Sequence, residues 1–232
     1  MFKRVLLKLS GEALAGEKKT GIDSTVVEKI CDKIKVLVDE GVQVGIVTGG
    51  GNFWRGRTSE NMDRTTSDYM GMLATIMNSL AVKDCLEHKG VKAVCQTSIA
   101  MNQVAEQFTK RDAIKHLQEG AVVVFGGGTG SPFFSTDTTA SLRACEIEAE
   151  TILVAKTIDG VYSADPKLDS SAVKYDEITY TEVLNKNLKV MDGSAIAMCR
   201  DNNISLVVFG LDDPENIVRA ARGEKIGTIV KN

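Results

Sequence analysis

The residues able to do chemistry gather in four short stretches of the chain. These are Lys8-Leu9-Ser10-Gly11-Glu12, Gly49-Gly50-Gly51-Asn52-Phe53-Trp54-Arg55-Gly56, Gly126-Gly127-Gly128-Thr129-Gly130 and Asp159-Gly160-Val161-Tyr162-Ser163-Ala164-Asp165-Pro166. Nine of the 21 glycines fall in the first three, more than the turns of a purely structural sheet require. A backbone without Cβ turns its N–H groups toward an anion and lets phosphate oxygens come close, so a glycine loop between strand and helix is a phosphate cradle. One such loop would equally be a tight turn after a buried strand; three along one sheet edge favour a ligand. The Walker pattern is excluded because the chain has no Gly-Lys dipeptide. A nicotinamide site is disfavoured because the first strand runs into Lys-Leu-Ser-Gly instead of G-x-G-x-x-G. Separate glycine cradles with a few fixed cations suit phosphoryl transfer between two phosphate-bearing partners, a reaction run by positioning, charge and magnesium. Lys8 and Arg55 are placed to supply the cations; their structural alternatives are a strand-end lysine reaching solvent and a solvated loop charge.

Two further positions allow two readings each. Ser135-Thr136-Asp137 precedes an apolar helical run and reads first as an N-cap, yet the same helix end offers free N–H groups and a positive dipole to a phosphate. Asp68, at the head of a long helix, is either another cap or, turned to the crevice, an acceptor for the vicinal hydroxyls of a ribose. The two histidines, His88 and His116, lie on amphipathic helical segments and give a catalytic triad or a His/Cys metal site little to draw on. The five cysteines include no C-x-x-C pair and read as reduced core residues.

These loops need a scaffold, and the hydrophobic pattern supplies one. Runs rich in β-branched residues alternate with segments of helical period, the pattern of a parallel sheet with crossover helices. Strands are expected at 4–9, 42–47, 91–95, 121–125, 151–155, 205–209 and 228–230. Helices are expected from a Ser24 cap to Gly41, then at about 67–88, 110–118, 136–148, 194–202 and 214–222. The expected fold is α/β, a three-layer α/β/α sandwich with a mainly parallel central sheet. It forms a single domain over 1–232, with a subtle division near Ala149 to Thr151. In such folds ligands bind outside the carboxyl ends of the strands, where the four stretches lie. The Met-rich face of the long helix (Met70, Met72, Met77) suits either the core or a contact between subunits.

Composition narrows the function classes. Of 232 residues, 43% are hydrophobic, and 28 Lys plus Arg stand against 31 Asp plus Glu, an ordinary globular balance without a dense basic cluster. That argues against a protein whose affinity comes from neutralising a nucleic-acid backbone. The short apolar run after Met1-Phe2-Lys3-Arg4 falls below the length of a signal or membrane segment, so a cytoplasmic protein with no membrane partner is expected.

The residues also resemble a known family. Lys8 to Leu14, Gly49 to Gly56, Asp68 to Thr75 with Met77-Asn78, Gly128 to Asp137, Asp159 to Tyr162 and Met191-Asp192 together are similar to the bacterial uridylate kinases of the amino-acid-kinase superfamily. The match runs in order over nearly the whole chain. The resemblance implies ATP-dependent, Mg²⁺-assisted phosphorylation of UMP to UDP in pyrimidine nucleotide biosynthesis, by a homohexamer activated by GTP and inhibited by UTP. It implies ATP contacts at Lys8, Leu9, Ser10, Gly11, Gly51 and Arg55, with Lys156, Thr157, Tyr162 and Asp165 on the adenosine side. UMP contacts are implied at Gly50, Asp68, Thr129, Gly130, Ser131, Pro132, Phe133, Phe134, Ser135 and Thr136. Asp137 would organise the transferring group beside Lys8 and Arg55, with the metal held through nucleotide phosphates. The acceptor lobe would be about 1–150 and the ATP lobe about 151–232. Gly16, Glu17, Lys18, Lys19, Thr20 and Gly21 match the loop linked to GTP activation. Lys156-Thr157-Ile158 departs from the family's usual Thr-Lys or Asn-Asn followed by Val, and the segment from Gly16 to Gly21 is less acidic than the family's. The rival readings are a carboxylate or carbamate kinase of the same fold and a nucleotide-binding or storage protein without turnover.

Overall fold

A computed structural model describes residues 1–55 and 62–232, leaving Gly56 of the second glycine loop outside the described residues. In chain order the elements are β1 (Arg4–Leu9), α1 (Gly11–Ala15), a 3₁₀ turn (Gly16–Lys18), α2 (Ser24–Asp39), β2 (Gln43–Thr48), α3 (Arg64–His88), β3 (Ala93–Thr97), β4 (Glu106–Gln107), α4 (Lys110–Gln118) and β5 (Val122–Gly126). They continue as α5 (Thr136–Glu146), β6 (Thr151–Lys156), β7 (Val161–Tyr162), β8 (Lys174–Tyr175), β9 (Glu177–Thr179), α6 (Tyr180–Asn185), α7 (Gly193–Asp201), β10 (Ser205–Gly210), α8 (Glu215–Ala221) and β11 (Thr228–Lys231).

The nine-stranded sheet has the order β4-β3-β5-β2-β1-β6-β10-β11-β9. Within that sheet only the β10–β11 pair is antiparallel; β7 and β8 form a separate antiparallel hairpin. Strand alternation divides the core between two faces. Val5, Leu7 and Leu9 of β1 pack with Ile30 and Ile34 of α2, Val82 and Leu86 of α3, and Ile217 of α8. Leu6 faces the other way, into the layer of Leu117 from α4, Ala140 and Ala144 from α5, and Ile196 from α7. This is the expected three-layer sandwich. Among the described residues no helix is long and apolar enough to cross a membrane.

Three details correct the sequence reading. Asp23, one residue before Ser24, caps α2, accepting from the N–H of Thr25 at 3.0 Å and of Val26 at 3.4 Å. The long helix starts at Arg64 under an Asp63 cap, so Asp68 lies inside the helix and does not cap it. Helix α5 stops at Glu146, two residues early, and the chain turns through a left-handed Glu148 (φ 57°).

The topology fixes where a ligand must go. Strand β1 sits between β2 and β6, and the chain builds the β2 side first, reaching the β6 side only after residue 150. The two sides meet at the β1–β6 seam, across which the sheet is continuous from Val5↔Thr151 to Lys8↔Val154. Crossovers depart in opposite directions at this seam, and they open a crevice at the carboxyl end of β1.

Candidate active site

That crevice is a cleft of about 540 Å³. Its walls include Lys8, Ser10, Gly11, Gly50, Gly51, Arg55, Asp68, Thr129, Phe134, Ser135, Thr136 and Asp137, so three separate glycine-bearing loops and two helix segments meet in one space.

Its wall carries a charged corner. Lys8 follows Leu6 on the same face of β1 and therefore points toward α5, where its ammonium meets Asp137 Oδ1 at 2.6 Å. The pair is sheltered, with 11% and 23% of the two side chains exposed. Lys156 ends the neighbouring strand, two residues beyond the Val154 that lies opposite Lys8, and so projects from the same face. Its ammonium donates to the carbonyl of Lys189 at 3.2 Å and to that of Val190. Burial, reinforced by the positive charge of Lys8 and opposed by Asp137, pulls the Lys156 ammonium down to about 8. Two sheltered ammonium groups thus face one side of Asp137, fixed cations of the kind a phosphate site uses.

Asp137 is held from behind. Its Oδ2 accepts from the N–H of Asp192 at 3.3 Å. Asp192 caps α7 through the N–H of Ala195 at 2.9 Å, and its carboxylate also accepts from the hydroxyls of Thr138 and Ser135. Ser135 in turn caps α5, accepting from the N–H groups of Asp137 at 3.0 Å and Thr138 at 3.2 Å. The N-termini of α5 and α7 are thus tied together, and the cap reading of Ser135 holds alongside its place in the cleft wall. Asp192, a residue of the family resemblance to which the sequence reading gave no role, turns out to position Asp137.

The depressed Lys156 value has a stability consequence. Between about pH 8 and 10.5 the unfolded chain binds the proton that the folded chain has lost, so stability rises with pH across that window. Relative to Lys156→Met, the unmodified protein should gain on the order of 2 kcal/mol in urea melts between pH 7.5 and 10.5. A pH-independent difference between the two proteins would refute the assignment.

The glycine loops interlock. A Cβ on Gly11 would come within 2.7 Å of the Gly51 nitrogen, and one on Gly50 within 2.7 Å of the Gly71 carbonyl on α3. Gly49 donates its N–H to the Leu9 carbonyl at 2.8 Å. Asn52 and Asn78 form a reciprocal amide pair at 2.9 and 2.7 Å; Asn52 also donates to the Gly21 carbonyl and Asn78 to that of Gly49, each at 2.7 Å. The loop from Gly16 to Gly21 is therefore clasped to the second glycine loop. Arg55, at the cleft mouth, pairs with Glu12 of α1.

The same cleft is walled by Asp68, whose carboxylate receives Arg64 Nε on both oxygens at 2.9 Å and the N–H of Phe133 at 2.8 Å. The Arg64 guanidinium sits 5.4 Å from the Phe133 ring centre. Phe133 adopts a left-handed φ of 72°, and both Phe133 and Phe134 remain exposed beside the cleft. Arg64 was absent from the sequence reading; its spacing of four residues from Asp68 on a helix was the available signal.

Other expected contacts fall outside the cleft lining. The Leu9 side chain is wholly buried in the layer of α2, α3 and α8, which leaves only its backbone near the site. Gly130, Ser131, Pro132 and Phe133 flank the cleft without lining it. Thr157 follows β6, while Tyr162 lies on the β7–β8 hairpin and donates its hydroxyl to Asp159 at 2.7 Å. Asp165 is exposed nearby and accepts from the N–H of Lys167. Among the described residues no group of three or more His, Cys, Asp or Glu gathers as a metal cage.

Residues 3–210 match the amino acid kinase family. The structure is similar to the UMP kinase of Bacillus anthracis, with a TM-score of 0.96 and 41% identity over 99% of this chain and 96% of that one. The UMP kinase of Ureaplasma parvum gives a TM-score of 0.95 and 37% identity, with 100% of each chain covered. The uridylate kinase of Archaeoglobus fulgidus gives 0.73 and 28%, over 99% of this chain and 100% of that one.

Proposed function

The chain belongs to the amino acid kinase family, and from that membership we propose that it transfers the γ-phosphoryl group of ATP to UMP, yielding UDP and ADP. The observation that carries this reading is one cleft lined by both the Lys8–Asp137 pair, with Lys156 behind it, and the Asp68–Arg64 pair. The first suits the phosphate chain of the donor, and the second suits the ribose and base of the acceptor.

In this reading the UMP phosphate oxygen attacks the γ-phosphorus directly and no protein base is required, since that oxygen is already ionised at neutral pH. Lys8 and Lys156 neutralise charge on the transferring group, Asp137 orienting Lys8 and the carbonyls of Lys189 and Val190 orienting Lys156. Arg55 reaches the phosphates once it leaves Glu12. The hard carboxylate of Asp137 fits a Mg²⁺ that keeps phosphate and water oxygens as its other ligands. Bound there, the ion would neutralise phosphate charge. Thr157, Tyr162 and Asp165 are assigned to the adenosine side, in a donor lobe from about residue 151 onward; the acceptor lobe is the remainder.

The regulatory part of the reading is activation by GTP through the loop from Gly16 to Gly21, and inhibition by UTP. The clasp between Gly21 and Asn52 supports it by linking that loop to Gly49–Gly51. A homohexamer is supported by exposed Tyr69, Leu73 and Met77, spaced four residues apart along α3. A cytoplasmic location completes the proposal. The deciding measurement is a coupled ADP-release assay with UMP, CMP, dUMP, acetylglutamate and carbamate as acceptors. UMP should give the highest kcat/KM by at least about tenfold; equal rates with a small acid would overturn the assignment.

A further inference from the structure

Arg143 of α5 is a buried cation, only 3% exposed. A charge held that deep needs partners to offset its lost hydration, and Arg143 has three. It is ion-paired to Glu146 one turn later on α5, its guanidinium lies 3.6 Å from the ring centre of Phe108, and its Nη2 donates to the Ser98 hydroxyl at 2.7 Å. Ser98, which directly follows β3, passes the contact on. Its hydroxyl donates to the Gly128 carbonyl at 2.8 Å and its N–H to the Gly126 carbonyl at 3.2 Å. Gly130 has a left-handed φ of 81°, and a Cβ there would come within 3.1 Å of the Ser98 Cβ, so the third glycine loop is folded directly against this serine. Thr75 of α3 holds the same loop by accepting the N–H of Gly127 at 2.9 Å. These contacts close a circuit. The chain leaves Gly128, runs through Thr129 to Ser135 and enters α5 at Thr136, and Arg143 on that helix reaches back through Ser98 to Gly128. Both ends of the segment are thereby tied to one buried group. Neither Ser98 nor Arg143 walls the cleft, whereas Gly128, Thr129, Phe134, Ser135 and Thr136 do.

We infer that Arg143 and Ser98 are positioning residues for the acceptor nucleotide, presetting the segment from Thr129 to Ser135 in the shape that receives it; this rests on the UMP kinase reading given above. A segment tied at both ends loses less freedom when a ligand orders it, so the tie lowers the entropic cost of binding. Released from Ser98, the segment spreads over several shapes. Only the competent fraction then binds the acceptor, and apparent affinity falls by that fraction. The donor phosphates are spared, because Lys8 and the first two glycine loops make no contact with Ser98 or Arg143 through which the change could pass.

The test compares the unsubstituted protein with Ser98→Ala, by kinetics in UMP and in ATP and by hydrogen exchange without nucleotide. Ser98→Ala should raise the KM for UMP by about tenfold, with kcat and the KM for ATP held within about threefold. Peptides spanning 129–135 should exchange faster, while those of β1 and α2 stay unchanged. Arg143→Met should give the same split, and the double variant no more than the larger single effect, since both substitutions cut one tie. Ser98→Ala decides the matter alone if Arg143→Met folds poorly. Equal losses for both nucleotides, unchanged exchange at 129–135, or additive effects in the double variant would overturn the inference. Should the unsubstituted protein fail to phosphorylate UMP, the functional reading falls and this inference with it; should it phosphorylate UMP while Ser98→Ala leaves the KM for UMP unmoved, the inference alone falls.

Discussion

Lys8→Met should lower kcat by roughly 10² to 10³-fold while moving the KM for UMP by no more than about threefold. The side chain stands one residue before the end of β1, where crossovers diverge, and strand alternation aims its ammonium at Asp137, 2.6 Å away. In the proposed reaction, negative charge on the transferring phosphoryl group is shared between donor and acceptor oxygens midway. A fixed, sheltered cation helps that state more than either ground state. Methionine keeps the length and the packing but removes the charge, so circular dichroism and melting should show a folded protein. Lys8→Arg should not restore the rate, because a planar guanidinium cannot occupy the space of a compact ammonium wedged between two strands and α5. A loss of less than tenfold in the methionine variant would remove Lys8 from the catalytic group.

Asp68→Asn should raise the KM for UMP by about thirtyfold and leave that for ATP within about threefold. The carboxylate is 11% exposed and bound on both oxygens by Arg64 and on one by the Phe133 N–H, so it fixes α3 against the loop carrying Phe133 and Phe134. Losing one charge-assisted interaction with a substrate hydroxyl corresponds to about 1.5–3 kcal/mol, hence the magnitude. Arg64→Met separates two modes of action. If Asp68 meets the ribose itself, removing Arg64 raises the UMP KM by only a few-fold; if Asp68 merely braces the loop, the two variants behave alike. Titration calorimetry with each nucleotide reads the outcome, and an unchanged UMP affinity in Asp68→Asn would end the acceptor-site assignment.

Much of this architecture was legible because the long elements carry strong periodic signals. The seven expected strands all exist within about two residues, since strands buried on both faces read as unbroken β-branched runs. What escaped detection was short: five-residue α1, two-residue β4, the β7–β8 hairpin, three-residue β9 and six-residue α6 contain too little sequence for a period to show. Cap positions slipped where adjacent residues compete, as Asp23 and Ser24 do, both being good acceptors for free N–H groups. The glycine loops were visible as composition, but the partners that fix them were not. Lys156 beside Lys8 depends on the register of two strands far apart in sequence, and Asp192 behind Asp137 on the meeting of two helix ends. Pairings of that kind arise only when the chain is folded.

The Asn52–Asn78 clasp that holds the second glycine loop is made wholly of uncharged groups, whereas Lys8–Asp137 and Arg64–Asp68 in the cleft wall are ion pairs. Alkali and salt therefore act unequally here: they strip or screen the ion pairs of the cleft while the amide clasp behind its glycine loop keeps its shape. A chain built this way loses rate before it loses form, and a drop in turnover on raising pH or ionic strength is to be read as chemistry switched off within an intact mould.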